Sequence, residues 1–190
     1  MMRIIYSLLL AGLTLAGCKS DRPSNEAVQT ANAQTAEIKY TVPDGWVSEA
    51  PKGRMRKAQF RLPGQDGMGD AELAVFVFPG TGGSVKANLD RWYGQFKQPD
   101  GANTEEKADV QKLTVHGLPV TIVQVTGTYL QSTSPMMMGG PVKEVPGSAM
   151  LAAIVETKND PWFFKAVGPG ETIEYWRPAF DKFVQSFSWE

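Results

Sequence analysis

The sequence predicts an α+β fold in which an antiparallel sheet of about seven strands is sandwiched by helices. Three observations predict it. Strand candidates follow one another with only short turns between them, which is typical of antiparallel pairing. The segment Ala71–Phe78 is apolar on both faces from Leu73 onward, so something must cover each side of its sheet. Two apolar stripes with helical spacing, one in mid-chain and one at the C-terminal end, supply those covers.

The first half of the predicted domain holds three strand candidates. Ile38–Val42 alternates and ends at Pro43-Asp44-Gly45, where proline fixes φ and glycine allows positive φ, so we expect a turn. Trp46 follows this turn as a core anchor. Met55–Leu62 is the second strand, and Ala71–Phe78 is the third.

A helix is predicted after Pro79–Gly83, because Ser84 is a suitable N-cap. Apolar residues then recur at helical spacing, and these are Val85, Leu89, Trp92 and Phe96. Gln98–Gly101, with its proline and glycine, ends the predicted helix.

Two hairpins and a second helix complete the domain. The hairpins pair Lys107–Val115 with Leu118–Tyr129, and Ser148–Thr157 with Trp162–Val167. One face of the C-terminal helix consists of Ile173, Trp176, Phe180, Phe183, Val184 and Phe187. Pro178 should kink this helix or shift its regular part later, because proline cannot donate to the Glu174 carbonyl. The predicted order is three strands, a helix, four strands and a helix.

Composition excludes several classes of function. The chain has 190 residues, with 19 Lys and Arg against 20 Asp and Glu, one His and one Cys. This near balance disfavours an electrostatic grip on nucleic acid. A single Cys excludes a disulfide framework, and a single His excludes the usual two-imidazole metal sites. We therefore expect no cofactor.

The N-terminus has the pattern of a secretory signal. A short positive start is followed by Ile4–Leu15, which is almost wholly apolar and, at about a dozen residues, too short for a permanent membrane helix. This segment leads into Leu15-Ala16-Gly17-Cys18, which resembles the bacterial lipobox. That resemblance implies cleavage after residue 17, a diacylglyceryl group on the Cys18 sulfur and a fatty acyl chain such as palmitate on its amine. The alternative is that Cys18 is the lone thiol of a conventional signal peptide.

Three regions follow from this pattern: a signal peptide at 1–17, a lipidated Cys18 with a flexible tether to residue 37, and a folded domain at 38–190. The tether contains no aromatic residue and cannot bury enough surface to order itself. Because Lys19 rather than Asp follows the cysteine, resemblance to lipoproteins of double-membrane bacteria implies sorting to the outer membrane, facing the periplasm.

Four segments of the domain carry a further resemblance. The segment Tyr40–Trp46 resembles the opening strand and turn of PsbP-like domains, which are α/β/α sandwiches. The segments 54–60, 82–92 and 117–120 are similar to a group of uncharacterised bacterial lipoproteins. The resemblance implies a fold and a binding or assembly role, and it provides no catalytic residues to carry over.

Two polar features have local explanations. His116 falls in a predicted hairpin turn, and no G-x-S-x-G motif provides a serine for it to activate, so we expect an exposed turn residue. The segment Gly80–Ser84 opens a helix and could hold an anion, with Asn88 and Arg91 as added donors. It lacks the Lys-Ser/Thr ending of a P-loop, and a tight turn with a serine cap explains it as well.

Met136, Met137 and Met138 are the partner-contact candidates. They lie in Gln131–Gly147, which is rich in proline and glycine and is predicted to be a long loop. Methionine adapts to irregular partner surfaces. The same thioethers are weak candidates for a Cu(I) site, which would need further ligands such as Met68 or His116.

The acidic pairs, Glu105-Glu106 and Asp66 with Asp70, fall in polar loops and are expected to be solvated. Together these features predict a membrane-anchored periplasmic lipoprotein that works as a non-enzymatic binding or assembly module, with an envelope protein as its partner. The alternatives are a periplasmic binder of a small ligand or Cu(I), and a hydrolase without a recognisable motif.

Overall fold

The computed structural model describes residues 36–133 and 140–190. Its strands are β1 (Ile38–Lys39), β2 (Val47–Glu49), β3 (Arg56–Leu62), β4 (Ala71–Val77), β5 (Phe96–Lys97), β6 (Asp109–Val115), β7 (Leu118–Ser132), β8 (Val142–Val155), β9 (Trp162–Pro169) and β10 (Ser188–Trp189). Its helices are α1 (Val85–Tyr93), α2 (Thr104–Lys107) and α3 (Gly170–Gln185). None of the helices in these two ranges is both long and apolar enough to cross a membrane.

Strands β2, β3, β4, β9, β8 and β7 lie side by side in that order, and β7 also pairs with β6 and β5. All of these pairings are antiparallel. In the described residues the main sheet thus has eight strands, and β1 with β10 forms a separate two-stranded pair. The predicted α+β class with an antiparallel sheet is confirmed.

The sheet has two buried faces because side chains alternate along each strand. On β8, Leu151 and Ala153 belong to the apolar cluster under α3, whereas Met150 and Ala152 belong to the cluster under α1. We call these the α3 face and the α1 face. The predicted helical cover of the doubly apolar β4 is confirmed, with one helix on each side.

Aromatic rings fill the α3 face. Phe180 and Phe183 of α3 are buried there together with Phe187, which lies just beyond the helix end. The rings of Phe164 and Phe187 stack with centroids 4.5 Å apart. The helix continues through Pro178 from Gly170 to Gln185. The predicted burial of these phenylalanines is confirmed, as is that of Trp92 on the opposite face.

The first predicted helix is shorter than expected. It ends at Tyr93 with Gly94 as its C-cap, so the prediction that Phe96 belongs to the helix is wrong. Phe96 is instead buried in β5, where it pairs with Tyr129 of β7. Glycine ends the helix early because it stabilises helical backbone poorly, and pairing with β7 then captures the next apolar residue.

The prediction of a long loop over Gln131–Gly147 is also wrong for most of the residues that the structure describes there. Strand β7 continues through Ser132 and β8 begins at Val142, so 131–132 and 142–147 lie in strands rather than in a loop, while 134–139 lie outside the described residues. Thr133 donates from its backbone N–H to the Pro141 carbonyl at 3.1 Å, just beyond these strands. Proline and glycine misled the prediction, because in this hairpin they form a β-bulge and not a loop.

Smaller differences occur at the first strand and at α2. The strand predicted over Ile38–Val42 is reduced to β1, and it pairs with β10 rather than with the main sheet. Pro43 follows, and Gly45 adopts the expected positive φ of 86° in the turn before the buried Trp46. Glu105 and Glu106 lie in α2, not in a loop.

Candidate functional site

A pocket with a cavity volume of about 630 Å³ lies on the α1 face, beside the helix. The pocket remains uncovered because α1 stops at Tyr93 and shields only part of the sheet. Its floor is formed by β4 and β9, and Arg56 of β3 lies at one side. On the other side stands the β7–β8 hairpin, through Tyr129 and Gln131. We call this cavity the sheet-face pocket.

A β-bulge shapes the hairpin beside the pocket. Between the pairs Gly127–Ser148 and Tyr129–Val145, β8 has one residue more than β7. The extra length falls at Pro146-Gly147, and Gly147 adopts a φ of 68°, which favours glycine. A bulge bends its strand and increases the local twist. Residues on both sides of this bend therefore line the same pocket.

Lys165 lies at the centre of the pocket floor, in the middle of β9. In register with it are Ala74 of β4 and Ala152 of β8, whose small side chains leave room around the lysine stem. The ammonium group donates a hydrogen bond to Gln95 Oε1. It also lies 5.7 Å from the ring centre of Trp92 and 5.9 Å from that of Tyr129, within the range of cation–π attraction.

The electrostatic environment of Lys165 is unusual for a lysine. No carboxylate of the described residues lies within 4.0 Å of its ammonium group. Burial of the amine, helped by repulsion from Arg91, lowers the pKa of Lys165 to about 7. Desolvation disfavours the charged form of an amine, and no neighbouring negative charge compensates here. The amine is therefore close to half-protonated near neutral pH.

The acid nearest to this floor is engaged elsewhere. Glu72 accepts hydrogen bonds of 2.6 Å from both Lys52 and Arg56, and one of 3.1 Å from Gln59. Burial alone would favour the neutral acid, but the hydrogen bonds from Lys52 and Arg56 outweigh it and hold the pKa of the Glu72 carboxyl below its usual range. The charge of Arg56 is thus compensated by Glu72, whereas the charge of Lys165 has no carboxylate partner among the described residues.

A larger groove of about 1120 Å³ lies between α1 and the edge strand β6. Its lining includes Leu89 and the exposed Val110, and its Lys86 forms an ion pair with Asp90 at 2.8 Å. In the described part of the chain, no titratable residue of this groove is a buried charge without a counter-charge. We therefore place the candidate site in the smaller pocket.

The structure gives several sequence-derived candidates a structural explanation. His116 is an exposed turn residue with a φ of 47°, and its Nδ1 lies 2.8 Å from the Phe187 carbonyl, which connects the β6–β7 turn to the end of α3. Ser84 caps α1 by accepting from Ala87 N–H. Asn88 donates to the carbonyls of Gly82 and Ser84, and it accepts from Arg91 at 2.7 Å, so both added donors are engaged within the turn.

Other candidates stay separate from the pocket or lie outside the described residues. Cys18 and Met136, Met137 and Met138 are not among the described residues. The predicted Cu(I) site on these methionines therefore lies outside the described residues. Met68 is half-buried in the turn before β4. In the described ranges, His, Cys, Asp and Glu form no group of three or more that could hold a metal ion.

The acidic pairs behave as surface residues. Asp70 accepts hydrogen bonds from Gly64 N–H at 2.9 Å and from Arg61 at 3.0 Å, and these bonds hold the pKa of its carboxyl below its usual range. Glu105 donates its backbone N–H to the Asn103 side chain that caps α2. Asp70 and Glu72 both line the sheet-face pocket, and each is paired with cationic side chains rather than with another acid.

Sequence analysis missed Lys165. One signal was present, because Trp162-Phe163-Phe164-Lys165-Ala166-Val167 places a single charge inside an otherwise apolar strand. Lysine is almost never fully buried without a partner. A mid-strand lysine among apolar residues therefore merits attention as a site candidate, whereas the other pocket residues carry no comparable signal in the sequence.

No protein-family model and no curated protein matches the chain. Solved structures do match it. One is a protein of unknown function from Pseudomonas aeruginosa, with 10% identity and a TM-score of 0.47 over 74% of this chain and 94% of that chain. Another is the cyanobacterial PsbP (CyanoP) of Synechocystis, with 13% identity and a TM-score of 0.43 over 80% and 91%. A third is LpqN, involved in cell envelope biogenesis of Mycobacterium tuberculosis, with 10% identity and a TM-score of 0.47 over 84% and 87%.

Proposed function

We propose that this protein is a lipoprotein of the bacterial outer membrane, anchored through Cys18, whose domain faces the periplasm and binds a small ligand without catalysing a reaction. The anchoring part rests on the lipobox-like residues that end at Cys18. The binding part rests on the sheet-face pocket. Its volume lies within the range of about 300–1,000 Å³ that is typical of small-molecule sites.

One observation carries the binding proposal: Lys165 is a half-buried side chain on the floor of this pocket, and no carboxylate of the described residues lies within 4.0 Å of its ammonium group. Buried charges are normally paired, because removing a charge from water is costly. A lysine that served only packing would be replaced by an apolar residue at lower cost. An unpaired amine at the floor of an open cavity is instead suited to receive a ligand.

The pocket favours binding over catalysis. The Ser148 hydroxyl donates to the Val145 carbonyl at 2.8 Å, so its hydrogen goes to the backbone and not to a side-chain base. Glu72 is held as a carboxylate by two cations, so it is a poor proton acceptor. A protein partner in the envelope remains part of the proposal, with Met136, Met137 and Met138 as the contact candidates.

The pocket is tested with an uncharged fluorescent probe, N-phenyl-1-naphthylamine, on the domain without its signal and tether. Ala74→Met places a longer side chain into the pocket floor, whereas Ala87→Met makes the same change on the exposed side of α1. Probe affinity should fall about tenfold in Ala74→Met and stay at the parental value in Ala87→Met. Near-UV circular dichroism confirms that each variant is folded.

Val167→Phe is a second filling variant in case Ala74→Met does not fold, because Val167 also lines the pocket and is half-buried. A folded filling variant that binds the probe as tightly as the parent would show that the pocket is not a binding site.

A further inference from the structure

We infer that the sheet-face pocket selects a monoanionic carboxylate with an apolar body, and that the carboxylate is held by Lys165 and Gln95. This inference rests on the proposed binding function and adds the chemical class of the ligand.

Two hydrogen-bond donors lie side by side on the pocket floor. Gln95 accepts from Lys165 through Oε1, and this fixes the orientation of its carboxamide. The Gln95 NH₂ group has no acceptor among the described residues, although Gln95 lines the pocket. A carboxylate has two oxygens, so one can accept a hydrogen bond from Lys165 and the other a hydrogen bond from the Gln95 NH₂ group.

The charges favour a ligand with one negative charge. Arg56 pairs with Glu72 across 2.6 Å, and Asp70, the other acid of the described lining, pairs with Arg61 at 3.0 Å, which leaves Lys165 as the cation of that lining without a counter-charge. A dianion such as a phosphate monoester would bring a second negative charge toward the Glu72 carboxylate. Like charges in a partly desolvated site repel strongly. A ligand with one negative charge therefore neutralises the charge of Lys165, whereas a dianion would leave one excess negative charge in the pocket.

The walls suit an apolar ligand body. The rings of Phe76 and Tyr129 and the side chain of Val167 face the cavity beside the donors. Burial raises the pKa of the Tyr129 phenol, and the Glu72 charge adds to the effect, so Tyr129 stays neutral throughout the physiological range. A flat or aliphatic group can therefore pack against these walls while its carboxylate reaches the floor.

Carboxylate binding should be coupled to proton uptake at Lys165. The charged groups around this lysine are Arg91 of α1, Arg56 of β3, Glu72 of β4 and the ionised Asp70 just before β4, with the neutral Tyr129 of β7 above it. Arginines keep their charge, and Glu72 is held ionised, so Lys165 is the group among them that titrates near neutrality. With an amine pKa of about 7 in the free protein, affinity for a carboxylate should fall about tenfold between pH 6 and pH 8.

The test compares three probes of similar shape by isothermal titration calorimetry: 1-naphthoate, 1-naphthyl phosphate and the neutral 1-naphthalenemethanol. The parent should bind 1-naphthoate about tenfold more tightly than either of the other two. Lys165→Gln should weaken 1-naphthoate about tenfold and leave the neutral alcohol unchanged. Lys112→Gln, on the exposed edge strand β6, is the matched control and should bind like the parent.

Titrations of the parent in buffers of different ionisation enthalpy measure the proton count without any variant. Uptake of nearly one proton is expected at pH 8, and of much less at pH 6. If Lys165→Gln does not fold, Gln95→Leu removes the second donor and should weaken 1-naphthoate selectively.

The outcomes distinguish the two proposals. Equal binding of 1-naphthoate and the neutral alcohol, or tighter binding of the phosphate, would overturn the ligand class while leaving the pocket as a binding site. Binding without proton uptake at pH 8 would overturn the role of Lys165. Failure of all three probes and of the uncharged dye would instead overturn the binding function itself.

Discussion

Lys165 is a charged residue held in a place that packing alone would give to an apolar one. Its neighbours on β4 and β8 are alanines, and rings of Trp92 and Tyr129 lie over its ammonium group. Those rings compensate only part of the desolvation, because the pKa of the amine remains lowered to about 7. Desolvation of the charged amine therefore lowers the free energy of unfolding of the domain by an amount that depends on pH.

The sign of that cost follows from proton linkage. The amine of Lys165 has a pKa of about 7 in the folded protein and near 10.4 in the unfolded chain, so between these values the unfolded state binds more protons. The free energy of unfolding should then rise as pH rises, by about 1 kcal/mol per unit between pH 8 and pH 10. Lys165→Met should remove this part of the pH dependence, because methionine does not titrate.

Urea unfolding of parent and Lys165→Met at several pH values between 7 and 10 measures this difference. Lys112→Met serves as the control, since its lysine is exposed on β6 and its removal should leave the slope unchanged. Parallel stability profiles for the parent and Lys165→Met would contradict a lowered pKa in the folded domain.

At the scale of elements, the β7–β8 hairpin gives the pocket one of its sides. Its two strands stay paired beyond the bulge, down to Ser132 and Val142. The residues that shape the pocket therefore belong to the paired part of the hairpin, and residues 134–139 lie beyond it. These two parts can be altered separately.

We expect an exchange of residues 134–139 for an Asn-Gly turn to change the free energy of unfolding by less than about 1 kcal/mol, because the strand pairs remain and loop closure depends weakly on length. Binding of 1-naphthoate should be unchanged. Capture of envelope proteins by crosslinking should decrease if Met136, Met137 and Met138 contact a partner. Exchange of all of 131–147 is the control, since it removes the pocket side and should abolish probe binding.

The elements also show how far sequence patterns reach. Apolar patterns and turn residues predicted β3, β4, β6, β7 and β9 with small errors at their ends, and they predicted β8 with a start six residues too late. The helical stripe failed at Phe96, because a stripe does not reveal that Gly94 ends α1 and that β7 then captures the next residue. Pro146 and Gly147 look alike in a loop and in a bulge, and only the partner strand distinguishes the two.

The pocket was harder to predict than the fold. Lys165, Gln95 and Tyr129 lie far apart in the sequence and meet only through the register of β9 with its neighbours and the bulge in β8. Candidates chosen by local motif, such as Gly80–Ser84 and His116, proved to hold the backbone together instead. Local patterns identify caps and turns well, whereas a site assembled across strands requires the register.

At the scale of the whole molecule, the proposed anchor is the feature open to the most direct test. Cys18→Ala should move the protein from the membrane fraction to the soluble fraction, or leave the precursor uncleaved, because no acyl chains can then be attached through its sulfur. Fractionation with immunoblotting measures the first outcome, and the mass of the protein measures the second. Cys18→Ala that fractionates and matures like the parent would contradict the lipoprotein proposal.

The β1–β10 pair determines how the domain would bear a pull along the proposed tether. Glu37 and Glu190 exchange backbone hydrogen bonds of 2.7 and 3.2 Å, so tension entering from residue 36 is passed first to the C-terminal end of the chain and not to the main sheet. Behind this short pair, the ring of Tyr40 lies 5.1 Å from that of Phe183 and 5.6 Å from that of Phe164. Tension on the proposed tether would therefore separate β1 from β10 first. It would next act on Tyr40, whose ring packs against Phe164 and Phe183. The strands that form the pocket would bear no tension as long as these aromatic contacts persist.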